Sequence, residues 1–144
     1  MAVLVHCFVT FGEEKVLYEK DSPYTTIVVT EDEGGLRTLS FEKRRVRQSV
    51  VKVGDPDHLE LRYARAMPVG LALVENPRRV LIVGLGGGTI PSFLHKHYAR
   101  TLIDVVDIDP DVVHVAKRFF GFREDATLRA HVEDGFDESG EQMP

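Results

Sequence analysis

A chain of 144 residues has room for one domain, or for two small ones sharing a core, and excludes a large multidomain machine. Its 43% hydrophobic and 28% charged residues, at a mean hydropathy of -0.12, describe a globule that can bury a core and exclude a disordered or fibrous chain. Eighteen Lys and Arg against twenty-three Asp and Glu leave a charge of -5, which argues against a general nucleic-acid surface. No apolar run approaches the roughly 20 residues of a membrane span, and the opening residues lack the basic segment of a cleaved signal. A cytoplasmic location without membrane association is therefore expected. The single cysteine, Cys7, has no internal disulfide partner and reads as packing in an apolar strand.

Short apolar bursts bounded by Gly, Asp or Pro predict strands at Val3–Thr10, Val16–Tyr18, Thr25–Thr30, Leu36–Phe41 and Ser49–Val53. The paired glycines Gly34 and Gly35 supply the positive φ of a hairpin turn. Residues 1–56 are thus expected to form an antiparallel β-unit. Asp55 and Asp57 offer a cap for a helix running from Asp57 to about Glu75, kinked at Pro68, within a connecting segment 57–77. Strands and helices then alternate. Arg79–Gly84 reads as a parallel strand covered on both faces, followed by a helix from Thr89 with Ile90, Phe93, Leu94 and His97 on one face. A second strand, Leu102–Ile108, leads into a helix capped by Asp109 with Pro110 in its first turn. That helix turns Val112, Val113, Ala116, Phe119 and Phe120 inward and ends at Gly121. Thr127–Val132 is a third strand. The fold class is α/β: an N-terminal antiparallel β-unit, then β-α-β-α-β over 78–135, the first half of a doubly wound, Rossmann-like domain. Residues 136–144 read as an acidic tail.

Gly84, Gly86, Gly87 and Gly88 fall between a buried strand and a helix. There glycines permit a tight turn and close approach of backbone to a ligand, beside a helix terminus that attracts polar or anionic groups. Asp107 lies 23 residues beyond Gly84 at the carboxyl end of the second strand, where a carboxylate accepts from both ribose hydroxyls of a nucleoside. Asp109 competes for that role but is better placed as a cap. Asp134, with Gly135, closes the third strand in a position to accept from an adenine amino group. The nicotinamide fingerprint G-x-G-x-x-G/A fails at Thr89, which tilts the reading away from that cofactor.

The Gly84–Gly88 loop, the strand end Val106-Asp107-Ile108-Asp109 and the pair Asp134-Gly135 resemble the S-adenosylmethionine-binding superfamily. Together with Ser22–Tyr24, Gln48-Ser49 and Leu59–Tyr63, they resemble its spermidine synthase (polyamine aminopropyltransferase) branch over roughly residues 16–135. The resemblance implies a ligand that is S-adenosylmethionine or its decarboxylated form, an oligomer-building β-unit and no metal. It also implies aminopropyl transfer to an amine with release of methylthioadenosine. Carried over by position, Asp107 binds ribose, Asp134 adenine, and Tyr63 lines the amine pocket.

The amine half of the pattern is altered. Thr25 follows Tyr24 where the family has Gln, Ala64-Arg65 replace a His-Glu or Gln-Glu pair, and Gly87 stands where the loop carries an acidic residue. A cation at Arg65 repels a polyamine. No fourth strand or catalytic acidic loop follows Asp134, so the resemblance implies a catalytically incomplete chain, a fragment or shortened isoform, whose first parallel strand is an open edge. Two alternatives stand beside aminopropyl transfer: a methyltransferase-like protein, and a non-catalytic module that associates with itself or with a longer relative. Lys43, Arg44, Arg45 and Arg47 read as a solvated strand or turn. His95 and His97, two apart on a helix, do not share a face for a metal.

Overall fold

The computed structural model describes residues 14–41, 46–74 and 76–134. The expected strand at Val3–Thr10, Cys7, the cations Lys43 to Arg45, Gly135 and the tail lie outside them.

Four antiparallel strands open the chain: β1 (Lys15–Asp21), β2 (Thr26–Glu31), β3 (Leu36–Phe41) and β4 (Val46–Lys52), ordered β1-β2-β3-β4. Alternation sets the inward face, where Ile27, Val29, Leu39 and Val50 are buried. Between β2 and β3, Asp32 Oδ1 accepts the Leu36 N–H at 2.9 Å, and only Gly35 of the two glycines takes a positive φ, +76°. At the exposed edge β1 runs longer than its apolar core predicts, because its polar residues complete the ladder to β2.

The predicted helix over 57–75 is mostly absent. Residues 58–61 are irregular, α1 spans only Arg62–Ala66, and Met67–Leu73 form a 3-10 helix. Pro68 cannot donate to an α ladder, and the chain tightens into the 3-10 form with Pro68 in its first turn. No side chain caps α1. Asp57 instead accepts from Lys96 Nζ at 2.5 Å and His97 Nε2 at 2.7 Å, tying the segment to the next helix.

The remaining elements are β5 (Arg79–Val83), α2 (Thr89–His97), β6 (Leu102–Asp107), α3 (Pro110–Phe119) and β7 (Leu128–Val132). The three strands form a parallel sheet ordered β5-β6-β7. This is the Rossmann-like half inferred from the alternation. β6, paired on both sides, has Ile103, Val105 and Val106 buried. β5 has a neighbour on one side, and Val83 at its end is 47% exposed, so it is not covered on both faces as expected. Asp109 caps α3 by accepting the Asp111 N–H at 2.9 Å, and Gly121 closes it at φ +73° with Phe122 N–H donating to the Ala116 carbonyl. On α2, Ile90 and Leu94 are buried, but His97 is turned outward, its ring 4.5 Å from that of Phe93 and its Nε2 on Asp57.

One apolar cluster joins both sheets, with Ile27, Val29 and Leu39 from the first and Ile103, Val105 and Leu128 from the second around Val115 and Phe122 of α3 and the segment after it. Lys20 pairs with Asp111 at 2.7 Å, and Arg37 donates to the Phe119 carbonyl, so α3 is fastened to the antiparallel sheet at both ends. On β6, Asp104 accepts from His131 at 3.1 Å and from Arg79 at 3.4 Å. The His131 hydrogen bond chiefly, and Arg79 after it, hold the Asp104 carboxyl below its ordinary 3.8 against the opposing effect of burial. Because the folded value is depressed, the stabilisation is present above about pH 4 and lost as pH falls through the depressed value. Asp104→Asn is accordingly expected to lower the thermal midpoint near neutral pH, with the difference from the parent shrinking below about pH 3 in a melting series.

Candidate functional site

A cavity of about 520 Å³ opens where the carboxyl ends of β5 and β6 meet β4 and α1. Its floor is the turn leaving β5. Gly84 continues the parallel ladder by donating to the Val106 carbonyl at 2.8 Å and takes φ +93°, and Gly86 takes φ +54°. Both values lie in the left-handed region that glycine enters freely.

Asp107 ends β6 at the rim of this cavity. Its Oδ2 accepts the Leu85 N–H at 2.8 Å and its Oδ1 accepts the Asp109 N–H at 3.0 Å. The carboxylate thus fixes the glycine turn to β6. An ionised carboxylate has about four lone-pair sites, so two acceptor positions stay open. Asp109 is used differently: 3% exposed, it caps α3 and accepts from Ser22 Oγ, holding the turn before β2 against the same rim. Its role as a cap, inferred from the sequence, is what the structure shows.

The four glycines do not act together. Gly84 and Gly86 line the cavity, whereas Gly87 and Gly88 line a different hollow on the other side of the turn. A Cβ at Gly87 would lie 2.9 Å from Ser49 Cβ and 3.1 Å from the Phe120 ring, and one at Gly88, φ +75°, would lie 2.8 Å from the Phe122 ring. A Cβ at Gly86 would likewise lie 2.6 Å from Ser49 Oγ, so side chains press against Gly86, Gly87 and Gly88, and Gly84 alone of the four has nothing within 4 Å. Gly88→Ala is expected to cost about 1–3 kcal/mol, from overpacking and left-handed strain, readable as a lower denaturation midpoint at unchanged slope.

Ser49, part of the Gln48-Ser49 stretch of the family resemblance, has a role the sequence did not disclose. Buried on β4, its Oγ accepts the Gly87 N–H at 2.9 Å, so the glycine turn is held by a hydroxyl from the other sheet, 38 positions away in the chain. Tyr63 lines the cavity as expected, 43% exposed, with its hydroxyl donating to the Gln48 carbonyl at 2.6 Å. Arg65 does not line it: its Nε donates to the Leu59 carbonyl at 2.6 Å and its Nη2 to that of Glu60 at 3.0 Å. The cation in the lining is Arg47, which had read as a solvated strand residue. Asp134, exposed beyond β7, stands one strand further out and is not part of the cavity wall. Among the described residues no group of three or more His, Cys, Asp or Glu is placed to hold a metal, and no helix is long and apolar enough to cross a membrane.

A β-α-β-α-β unit whose cavity lies at the strands' carboxyl ends, under a glycine turn braced by an acid, defines a Rossmann-like domain. Residues 61–138, 78 of the 144, match the spermine/spermidine synthase domain, and the chain belongs to that family. It is 36% identical over 128 residues to a polyamine aminopropyltransferase of Vibrio vulnificus, covering 87% of this chain and 42% of that protein. A probable spermidine synthase of Corynebacterium glutamicum shares the fold, with a TM-score of 0.70 at 19% identity over 81% of this chain and 44% of that one. Human methyltransferase-like protein 13, solved in complex with SAH, is similar at a TM-score of 0.50 and 40% identity over 52% of this chain and 37% of that one. The chain spans between 13% and 42% of the length of the curated relatives it matches.

Proposed function

We propose that the chain binds an S-adenosyl nucleoside in the cavity beneath the Gly84–Gly86 turn, with Asp107 accepting the ribose hydroxyls. The observation that carries this reading is the Asp107 carboxylate, rigidly held by two backbone N–H groups at the rim with two acceptor positions to spare. The residues present fit such a ligand. Gly84, with nothing within 4 Å of where a Cβ would stand, leaves room for close approach at the cavity floor. The SAH carried by human methyltransferase-like protein 13 supports the same ligand class. The adenine end is assigned to Asp134 on the family resemblance, beyond β7, the strand next to the one that carries Asp107.

Between the two forms of the ligand, the lining favours intact S-adenosylmethionine. Its acids are Asp107 and Asp109, both engaged in the backbone, and its cation is Arg47. A guanidinium attracts the methionine carboxylate that the decarboxylated form lacks, and repels a polyamine. When bound, the sulfonium presents an activated carbon to a nucleophile. Among the described residues the cavity offers no further carboxylate to take a proton from an attacking amine, which supports ligand binding with incomplete aminopropyl transfer by this chain.

Titration calorimetry with S-adenosylmethionine, decarboxylated S-adenosylmethionine and methylthioadenosine tests the reading. S-adenosylmethionine is expected to bind tightest, and Arg47→Ala to weaken it by about 1–2 kcal/mol while leaving methylthioadenosine unchanged. Equal affinity for all three, unaffected by the substitution, counts against it.

A second reading, an association module, is favoured by β5, which among the described residues pairs on one side only, with β6. It predicts concentration-dependent self-association in sedimentation. A monomer at every concentration speaks against it.

A further inference from the structure

Behind the glycine turn, away from the nucleoside cavity, lies the second hollow, about 240 Å³, between the loop after β4, the amino-terminal half of α2 and the segment after α3. Among the described residues two buried side-chain polar atoms lack a hydrogen-bond partner, His58 Nε2 and Thr89 Oγ1, and both residues line this hollow. Thr89 is only 8% exposed. His58 Nε2 lies 3.2 Å from a Glu60 carboxylate oxygen, but without the alignment of a hydrogen bond. Buried donors are rarely left unpaired, and two of them around one space ask for a polar occupant.

The charge around the hollow says which kind. Lys52 and Arg123 contribute to its wall, both exposed, and neither side chain makes a hydrogen bond or ion pair among the described residues. His95 and Lys96 also line it, engaged at their tips by Asp125 and Asp57. The carboxylate in the wall, Asp55, accepts the Asp57 N–H at 3.2 Å within its own turn. The positive end of the α2 dipole, at Gly88 and Thr89, faces the same space. Unspent cations, the unpaired Thr89 hydroxyl and a helix terminus, with the His58 imidazole able to turn from Glu60, together suit a compact oxyanion.

The geometry points to a second ligand site, for a phosphate group, free or carried on a small metabolite, held by Lys52, Arg123, His58 and Thr89 and separate from the nucleoside cavity. It does not depend on what the nucleoside cavity binds. The test follows the amide resonances of Gly87, Gly88 and Thr89 in the full chain during titration with inorganic phosphate or glycerol 3-phosphate, ionic strength being held with chloride. Saturable shifts are expected, weakened at least tenfold in Lys52→Ala/Arg123→Ala and at least threefold in Thr89→Val. The double variant changes only exposed side chains, so its fold is checked by an unchanged circular dichroism spectrum. Tighter binding of the ester assigns a carried phosphate, and equal binding a free one. Shifts that chloride reproduces, that do not saturate, or that persist undiminished in the double variant overturn the site.

Discussion

Asp107→Ala is expected to weaken S-adenosyl ligand binding by about 30-fold or more. Each hydrogen bond from a ribose hydroxyl to a carboxylate is worth about 1.5–3 kcal/mol, and the substitution removes two of them. The same change strips the Leu85 and Asp109 N–H groups of their acceptor and frees the glycine turn from β6, at a further cost of about 1–3 kcal/mol in stability. Calorimetry and thermal melting separate the two effects. Asp107→Asn keeps the shape and one acceptor oxygen, and should fall between parent and alanine in both. If Asp107→Ala lowers stability but leaves affinity intact, the carboxylate is a brace for the turn and nothing more.

Gly87→Asp restores the acidic residue that the family resemblance expects in the loop, and is expected to destabilise the fold by about 3 kcal/mol or more rather than recover an amine site. The Cβ alone meets Ser49 and Phe120 within 2.9–3.1 Å at a buried position, and a carboxylate there has no partner in the structure. Chemical denaturation reads the loss. A variant that keeps the parent's stability and gains affinity for a polyamine would show that Gly87 marks a deleted substrate contact instead of a packing demand.

These two positions also show how much the sequence disclosed. The β-α-β-α-β unit was legible because its signals are local: the continuous apolar run of β5, the largely apolar β6, the Asp109 cap with Pro110, and Gly121 after α3. The antiparallel sheet was legible by alternation from β2 through β4. The helix after Asp57 was not, because Leu59, Tyr63, Ala66 and Met67 keep a helical spacing while Pro68 disrupts the ladder beneath it, and Asp57 finds Lys96 and His97 across the fold. For the site, Asp107 was marked by its place at the end of the second parallel strand, and Tyr63 only by the family resemblance; both line the cavity. The crowding of Gly86, Gly87 and Gly88 depends on Ser49, Phe120 and Phe122, contacts that no local pattern encodes. Arg47 and Arg65 exchanged roles for the same reason: backbone carbonyls claimed Arg65, while β4 carried Arg47 to the rim.

The most direct measurement follows backbone amide resonances while SAH is added. If the turn after β5 and the acid closing β6 cup an adenosyl group, the Leu85, Gly86 and Asp109 amides shift together and saturate, with one shared dissociation constant. Should those three amides stay still at saturating SAH, or shift no more than residues of the distant β1 edge, the assignment of this cavity to an S-adenosyl nucleoside is wrong.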